Sequence, residues 1–140
     1  MSVCIDASLL IRWLVPRQSD PRSYELVDDW LEDGVELVGP ALLFSEAVSV
    51  LRHQVHRGIL EADDADRCVW MVLQLGIRRI DNATLYRRAY EIASHFGHPR
   101  AYDAQYIAAA EQEGCSLWTA DDGLFDSVRR ELPNVKHVSR

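Results

Sequence analysis

Short apolar segments alternate with longer segments of helical periodicity along this chain, and this alternation limits the folds open to it. Five segments have the length and composition of short strands, and one or two predicted helices separate each from the next. Because parallel strands need a crossover connection, usually helical, the pattern predicts a three-layer α/β/α fold around a mostly parallel five-stranded sheet. In chain order, the predicted strands are SVCI, VELV, IRRI, CSLWT and VKHV.

Helix-breaking and helix-capping residues mark the expected starts and ends of the helices. Pro16 should end the first helix, and the last should run to about Leu132. Asp20 and Pro21 should start the second helix, and Pro40 should start the third, which Gly58 closes. Asn82 should cap the helix ATLYRRAYEIASHFG.

The length and composition indicate one globular domain over residues 1–140, with 48% hydrophobic and 26% charged residues. No apolar stretch approaches the ~20 residues that span a bilayer, and MSVCIDASLL lacks the features of a signal peptide. We therefore expect a cytoplasmic protein without a membrane segment.

The net charge of −7 argues against a general polyanion binder. It does not exclude a nuclease, because part of the negative charge can belong to a metal site. Of the 15 basic residues, 14 are arginine, the side chain best suited to bidentate phosphate contact, although genome composition also produces such a bias.

Four acidic residues lie where an apolar segment meets a break. Asp6 and Asp121 follow predicted strands, Asp103 opens a helix, and Glu46 lies on the apolar stripe of its helix. Open α/β sheets bind ligands at the carboxyl ends of their strands, so these carboxylates are expected to converge there. At ~6 Å and an effective dielectric of ~20, each pair would repel by roughly 3 kcal/mol. Such a cluster calls for Mg²⁺ or Mn²⁺.

Each acid also has a purely structural interpretation. Asp6 is a suitable N-cap, and Asp103 in a first helical turn is stabilised by the helix dipole. Glu46 could instead pair with an arginine such as Arg12. Because two acids are adjacent, either Asp121 or Asp122 could face the metal.

The sequence resembles a known family, the PIN-domain ribonucleases, and within it the VapC-type toxins of bacterial toxin–antitoxin modules. The resemblance covers nearly the whole chain. Its motifs are Asp6-Ala7-Ser8 after the first strand, Pro40 to Glu46 (PALLFSE), Tyr102-Asp103-Ala104, and Thr119-Ala120-Asp121 followed by Leu124.

The resemblance implies a PIN-like fold and a metal-dependent endoribonuclease, with the toxin role resting on the resemblance alone. It implies that Asp6, Glu46, Asp103 and Asp121 form the catalytic, metal-binding quartet, with Ser8 and Thr119 as supporting hydroxyls. Mg²⁺ or Mn²⁺ as cofactor, a homodimer and a cognate antitoxin are further implications. Asp126 is a weaker substitute for Asp121.

Three basic or polar residues near the quartet are candidates for substrate contact. Arg100 and His98 precede Asp103, and Arg52 shares the helix of Glu46. A solvated surface position is the alternative for each of them.

Two other functions compete with the nuclease. A PIN-like module that binds RNA or protein without cutting would have the same fold. A phospho-acceptor receiver domain would use Asp6, Thr119 and Lys136, but it would lack paired acids after the first strand and would leave Glu46 and Asp103 without a role.

Overall fold

The computed structural model describes residues 1–15 and 20–140, which form five strands and seven helices. The strands are β1 (Ser2–Ile5), β2 (Glu36–Pro40), β3 (Arg78–Ile80), β4 (Leu117–Thr119) and β5 (Val135–His137). The helices are α1 (Ala7–Leu14), α2 (Pro21–Glu32), α3 (Leu42–His56), α4 (Ala62–Gln74), α5 (Ala83–His95), α6 (Tyr102–Glu113) and α7 (Asp122–Val128).

All the strands pair in parallel, in the order β3-β2-β1-β4-β5, which confirms the predicted α/β class. The chain first extends the sheet from the central strand β1 to β2 and β3, and then crosses to the other side of β1 to add β4 and β5. The winding direction therefore reverses between β1 and β4, where Cys4 lies beside Leu117. Ligands of doubly wound sheets bind in the crevice at such a switch point.

Helix α6 presents a continuous run of buried residues, Tyr106 to Ala110. It packs on β1, β2 and β4 and against α5. Its small side chains Ala104, Ala108, Ala109 and Ala110 are all buried, which lets the helix lie close to the strands. Because α6 begins with Tyr102 and Asp103, this packing fixes where the carboxylate of Asp103 is presented.

None of the helices in the described ranges has both the length and the apolar character needed to cross a membrane.

The predicted helix caps are present. Asp20 Oδ1 accepts a hydrogen bond from the backbone N–H of Ser23 at 2.9 Å, with Pro21 as the first helical residue. Asn82 Oδ1 accepts from the backbone N–H of Leu85, also at 2.9 Å. These local signals were correctly interpreted because a cap involves residues only three positions apart.

Two predicted helix ends are wrong. Pro40 is the last residue of β2 rather than the start of α3, because it pairs with Ile80 of β3 and the helix begins at Leu42. Helix α7 ends at Val128 rather than near Leu132, because residues 129–131 form turns in which the N–H of Glu131 bonds to the carbonyl of Val128. The prediction for Pro16 lies outside the described residues.

Removing the Asn82 cap should destabilise the protein. We expect Asn82→Ala to lower the free energy of unfolding by about 1 kcal/mol, because the N–H of Leu85 loses its acceptor. Urea denaturation measures the change. Asn82→Asp retains an acceptor and should match the wild type within about 0.5 kcal/mol; equal stability of the alanine variant would contradict the assignment of this cap.

Candidate active site at the carboxyl ends of the strands

The four predicted acids line one cavity of about 330 Å³. Asp6 follows β1, Glu46 lies early in α3 after β2, Asp103 is in the first turn of α6, and Asp121 caps α7 after β4. Four separate parts of the chain thus bring carboxylates to the switch point of the sheet. Within the described residues, no three acidic, histidine or cysteine side chains are already arranged tightly enough to hold an ion between them.

Asp6 is the buried member of the group, at 4% exposure. Its Oδ1 accepts hydrogen bonds from Ser8 Oγ at 2.6 Å and from the backbone N–H of Leu9 at 3.0 Å, and its Oδ2 accepts from Thr119 Oγ1. Burial raises the pKa of Asp6 to about 6, although these donors oppose the rise. Asp6 is therefore both the cap of α1 and a member of the acidic site.

Ser8 and Thr119 connect the two strand ends. Ser8 Oγ accepts from the backbone N–H of Ala120 at 3.0 Å, and Thr119 Oγ1 accepts from that of Asp121 at 2.9 Å. Both hydroxyls also donate to Asp6. They lie where supporting hydroxyls were predicted, and they orient the Asp6 carboxylate.

Glu46 is half-buried, and Tyr106 Oη donates to its Oε1 at 2.8 Å. Burial raises the pKa of Glu46, the hydrogen bond from Tyr106 opposes this, and the charge of Asp103 adds to it. Tyr106 was not predicted as a site residue. Its position one helical turn after Asp103 was the available signal, because residues three apart share a helix face.

The remaining two acids lie at the mouth of the cavity. Asp103 is exposed to solvent, and its pKa is raised by partial desolvation and then by the charge of Asp121. The charge of Asp121 likewise raises the pKa of Asp6. The acids thus act on one another electrostatically, as an uncompensated cluster does.

The two adjacent acids differ in where they lie. Asp121 lines the cavity, and its Oδ1 accepts from the backbone N–H of Leu124 at 2.9 Å. Asp122 does not line this cavity and pairs with Arg140 at 2.7 Å. Asp126 pairs with the same arginine at 2.9 Å.

Only two of the three candidate substrate residues lie next to the acids. His98 and Arg100 line a neighbouring cavity of about 370 Å³ that shares Glu46 and Asp103 with the first. Arg52 is exposed on α3 and lines neither of the two cavities.

Besides Tyr106, two polar residues of the acidic cavity were not predicted as site residues. Arg12 lines the cavity and pairs with Asp20 at 3.2 Å, so it is not the partner of Glu46. Gln54, two helical turns after Glu46, lines the cavity as well. Neither position carries a local sequence signal that separates it from an ordinary helix residue.

The donor set suits a hard divalent cation. Carboxylate oxygens are the preferred ligands of Mg²⁺ and Mn²⁺, and no histidine or cysteine is among the described residues that line the acidic cavity. Burial is the main cause of the raised pKa values of Asp6, Glu46 and Asp103, and the charge of a neighbouring acid adds to each of them, so a bound cation would favour their charged forms. The residues present therefore fit such an ion.

Comparison with known proteins identifies relatives of this chain. A sequence model of the PIN domain matches residues 3–131. Ribonuclease VapC9 of Mycobacterium tuberculosis is 36% identical over 94 residues, which cover 67% of this chain and 72% of the relative.

Solved structures share the fold. The structure of PAE2754 from Pyrobaculum aerophilum has a TM-score of 0.72 at 21% identity and covers 99% of this chain and 90% of its own. VapBC2 of Rickettsia felis, solved with a DNA fragment from its promoter, has a TM-score of 0.68 at 10% identity, with coverage of 98% and 97%.

Loss of the Thr119 hydroxyl should weaken the fold at the site. Thr119→Val is nearly isosteric but removes a donor to buried Asp6 and an acceptor for the N–H of Asp121, so we expect a loss of about 1–3 kcal/mol in unfolding free energy. Urea denaturation in EDTA measures it. Thr84→Val, the same change at an exposed position of α5, should stay within about 0.5 kcal/mol. Equal effects of the two variants would show that the hydroxyl network contributes no stability.

Proposed function

This chain belongs to the PIN-domain family, and from that premise we propose that it is a Mg²⁺- or Mn²⁺-dependent endoribonuclease acting as the toxin of a toxin–antitoxin pair. One observation carries the proposal: four carboxylates from distant parts of the chain line a single cavity at the switch point of the sheet. The relative VapC9 is named a ribonuclease, which agrees with this chemistry. A receiver domain would leave Glu46 and Asp103 unused, although both line the cavity.

We assign metal binding to Asp6, Glu46, Asp103 and Asp121, whose oxygens form the donor set described above. When bound, Mg²⁺ or Mn²⁺ supplies Lewis-acid polarisation of the scissile phosphate and lowers the pKa of water.

The protein contributes orientation. Ser8 and Thr119 hold the carboxylate of Asp6, and Tyr106 holds that of Glu46. Because these donors are already in place, little reorganisation of those two carboxylates is needed when the site is loaded.

Asp103 is the best placed proton acceptor. The other three carboxylates each accept a hydrogen bond from the protein, whereas no described residue donates one to Asp103. In the proposed reaction a water oxygen forms a bond to phosphorus and its proton passes to Asp103, while the bond from phosphorus to a ribose oxygen breaks and that oxygen takes up a proton from solvent. The products are a phosphomonoester end and a free hydroxyl end.

Substrate contact involves groups on both sides of the acids. His98 and Arg100 line the neighbouring cavity, while Arg12 lines the acidic one. We therefore propose that the RNA strand crosses the carboxylates with a cationic side chain on either side of the reacting phosphate. Arg52 is a weaker candidate because of its place outside both cavities.

We further propose a cognate antitoxin, a homodimeric assembly and a cytoplasmic location. The solved neighbour from Rickettsia felis is a VapBC pair, which supports an antitoxin partner. Large apolar side chains are exposed on α4 and α5, among them Trp70, Leu73 and Tyr90, and could form part of a protein interface. The location follows from the proposed RNA substrate.

Purified, antitoxin-free protein should cut total RNA into discrete fragments with Mg²⁺ or Mn²⁺ and should not cut it in EDTA. We expect Asp6→Asn to reduce the cleavage rate by at least about 100-fold, because a metal ligand is lost. The rates are measured on labelled RNA after circular dichroism has shown that the variant is folded.

Asp122→Asn is the matched control for this experiment. It removes an acid next to Asp121 that pairs with Arg140 and does not line the acidic cavity, so cleavage should stay within about twofold of wild type. Absence of cleavage by folded, metal-loaded wild-type protein across diverse RNAs would favour the module that binds without cutting.

Divalent cations should also stabilise the protein, independently of its activity. At a Mg²⁺ concentration of 100 times the dissociation constant, we expect the unfolding free energy to rise by about 2.7 kcal/mol. Thermal denaturation with and without EDTA measures the effect. The rise should vanish in Asp103→Asn and persist in Asp122→Asn; equal rises in both variants would place the ion elsewhere.

A further inference from the structure

Gln54 has a property that the proposed reaction leaves unexplained. Its side chain lines the acidic cavity at only 8% exposure, and no described residue donates a hydrogen bond to its buried amide oxygen. A buried amide oxygen without a donor is unfavourable, and native proteins seldom retain one without a reason. A ligand that brings a donor into the cavity would remove this penalty.

The cavity around Gln54 has apolar walls. Glu46, Val50 and Gln54 follow one another at four-residue spacing on one face of α3, so the cavity extends ~12 Å along the helix from the acids. Ala7 and Ile11 of α1, which packs against α3, form the facing wall. A space with apolar sides and one amide suits a flat aromatic group with a polar edge.

We propose that this part of the cavity is a nucleobase subsite and that Gln54 selects the base beside the cleaved phosphate. This inference rests on the proposed ribonuclease function. A glutamine amide presents an acceptor next to a donor, which matches the paired groups on the edge of a base. Single-stranded RNA exposes such edges, and proteins read them in pockets of this kind.

Arg12 also favours a nucleotide as the ligand of this part of the cavity. Arg12 lines the same cavity, and one nitrogen of its guanidinium is paired with Asp20 at 3.2 Å. A guanidinium carries five N–H donors, so Arg12 can keep Asp20 and still contact a phosphate. The one cavity therefore offers an amide for the edge of a base, apolar walls for its faces and a guanidinium for its phosphate.

The test replaces Gln54 by methionine, which has nearly the same shape but no amide. Because the amide oxygen has no described partner, Gln54→Met should be as stable as wild type or more stable in thermal denaturation. Gln112→Met, the same change on the exposed surface of α6, is the matched control. Marked destabilisation by Gln54→Met alone would assign the amide a structural role and overturn the inference.

The first arm measures cleavage of an RNA pool randomised around the cut site. Wild type and Gln112→Met should prefer one base at a fixed position relative to the cut. Gln54→Met should still cut, with that preference reduced about tenfold, which is the effect of one hydrogen bond of ordinary strength. An unchanged preference in Gln54→Met would overturn the inference.

The second arm measures equilibrium binding of AMP, GMP, CMP and UMP, with Ca²⁺ present, and needs no cleavage. Wild type should bind one mononucleotide about tenfold more tightly than the least favoured, and Gln54→Met should bind all four alike. Equal binding by wild type, or selectivity that survives in Gln54→Met, would overturn the inference. If RNA is not cut but this selectivity is found, the proposed reaction fails while the base subsite stands.

Discussion

The buried carboxylate of Asp6 is the group on which the arrangement of the site depends. A carboxylate at 4% exposure must be surrounded by donors, and the donors come from the start of α1 and the end of β4. Satisfying this one group therefore ties two neighbouring strand ends together. The same contacts hold Ala120 and Asp121 in place, because Ser8 and Thr119 also accept from the backbone N–H groups of those residues.

Structural and chemical roles coincide in two of the acids. Asp6 and Asp121 each accept the N-terminal hydrogen bond of a helix and also line the acidic cavity. The partial positive charge at a helix N-terminus lowers the cost of placing a carboxylate there. The N-termini of α1 and α7 thus partly compensate the repulsion among these carboxylates.

The fold and the acidic quartet were predictable because their signals are local or follow from topology. Helix caps such as Asn82 involve residues three apart, and an acid after a parallel strand must lie at the carboxyl edge of the sheet. Pro40 was misassigned because its pairing with Ile80 places it in a strand, and Leu132 because the chain already turns after Val128. Local patterns favour a helix at both places.

The rest of the site depends on contacts between distant residues. Tyr106 reaches Glu46 across 60 positions of sequence, and although its spacing from Asp103 places it on the same helix face, nothing in the sequence indicates that Glu46 is its partner. Arg12 and Gln54 lie on different helices and meet at one cavity only because α1 packs against α3. The position of Asp122 follows from its ion pair with Arg140. Such pairings exist only in the folded chain.

Because of the strand order, the acidic site is completed late in the synthesis of the chain. The central strand β1 carries the first acid, but its neighbour β4 and the acid that follows come from residues 117–121. During synthesis, a nascent chain therefore has an unpaired flank on β1 and an incomplete acidic cluster until residue 121 has emerged from the ribosome. A nuclease built this way has an incomplete acidic site for most of its own translation.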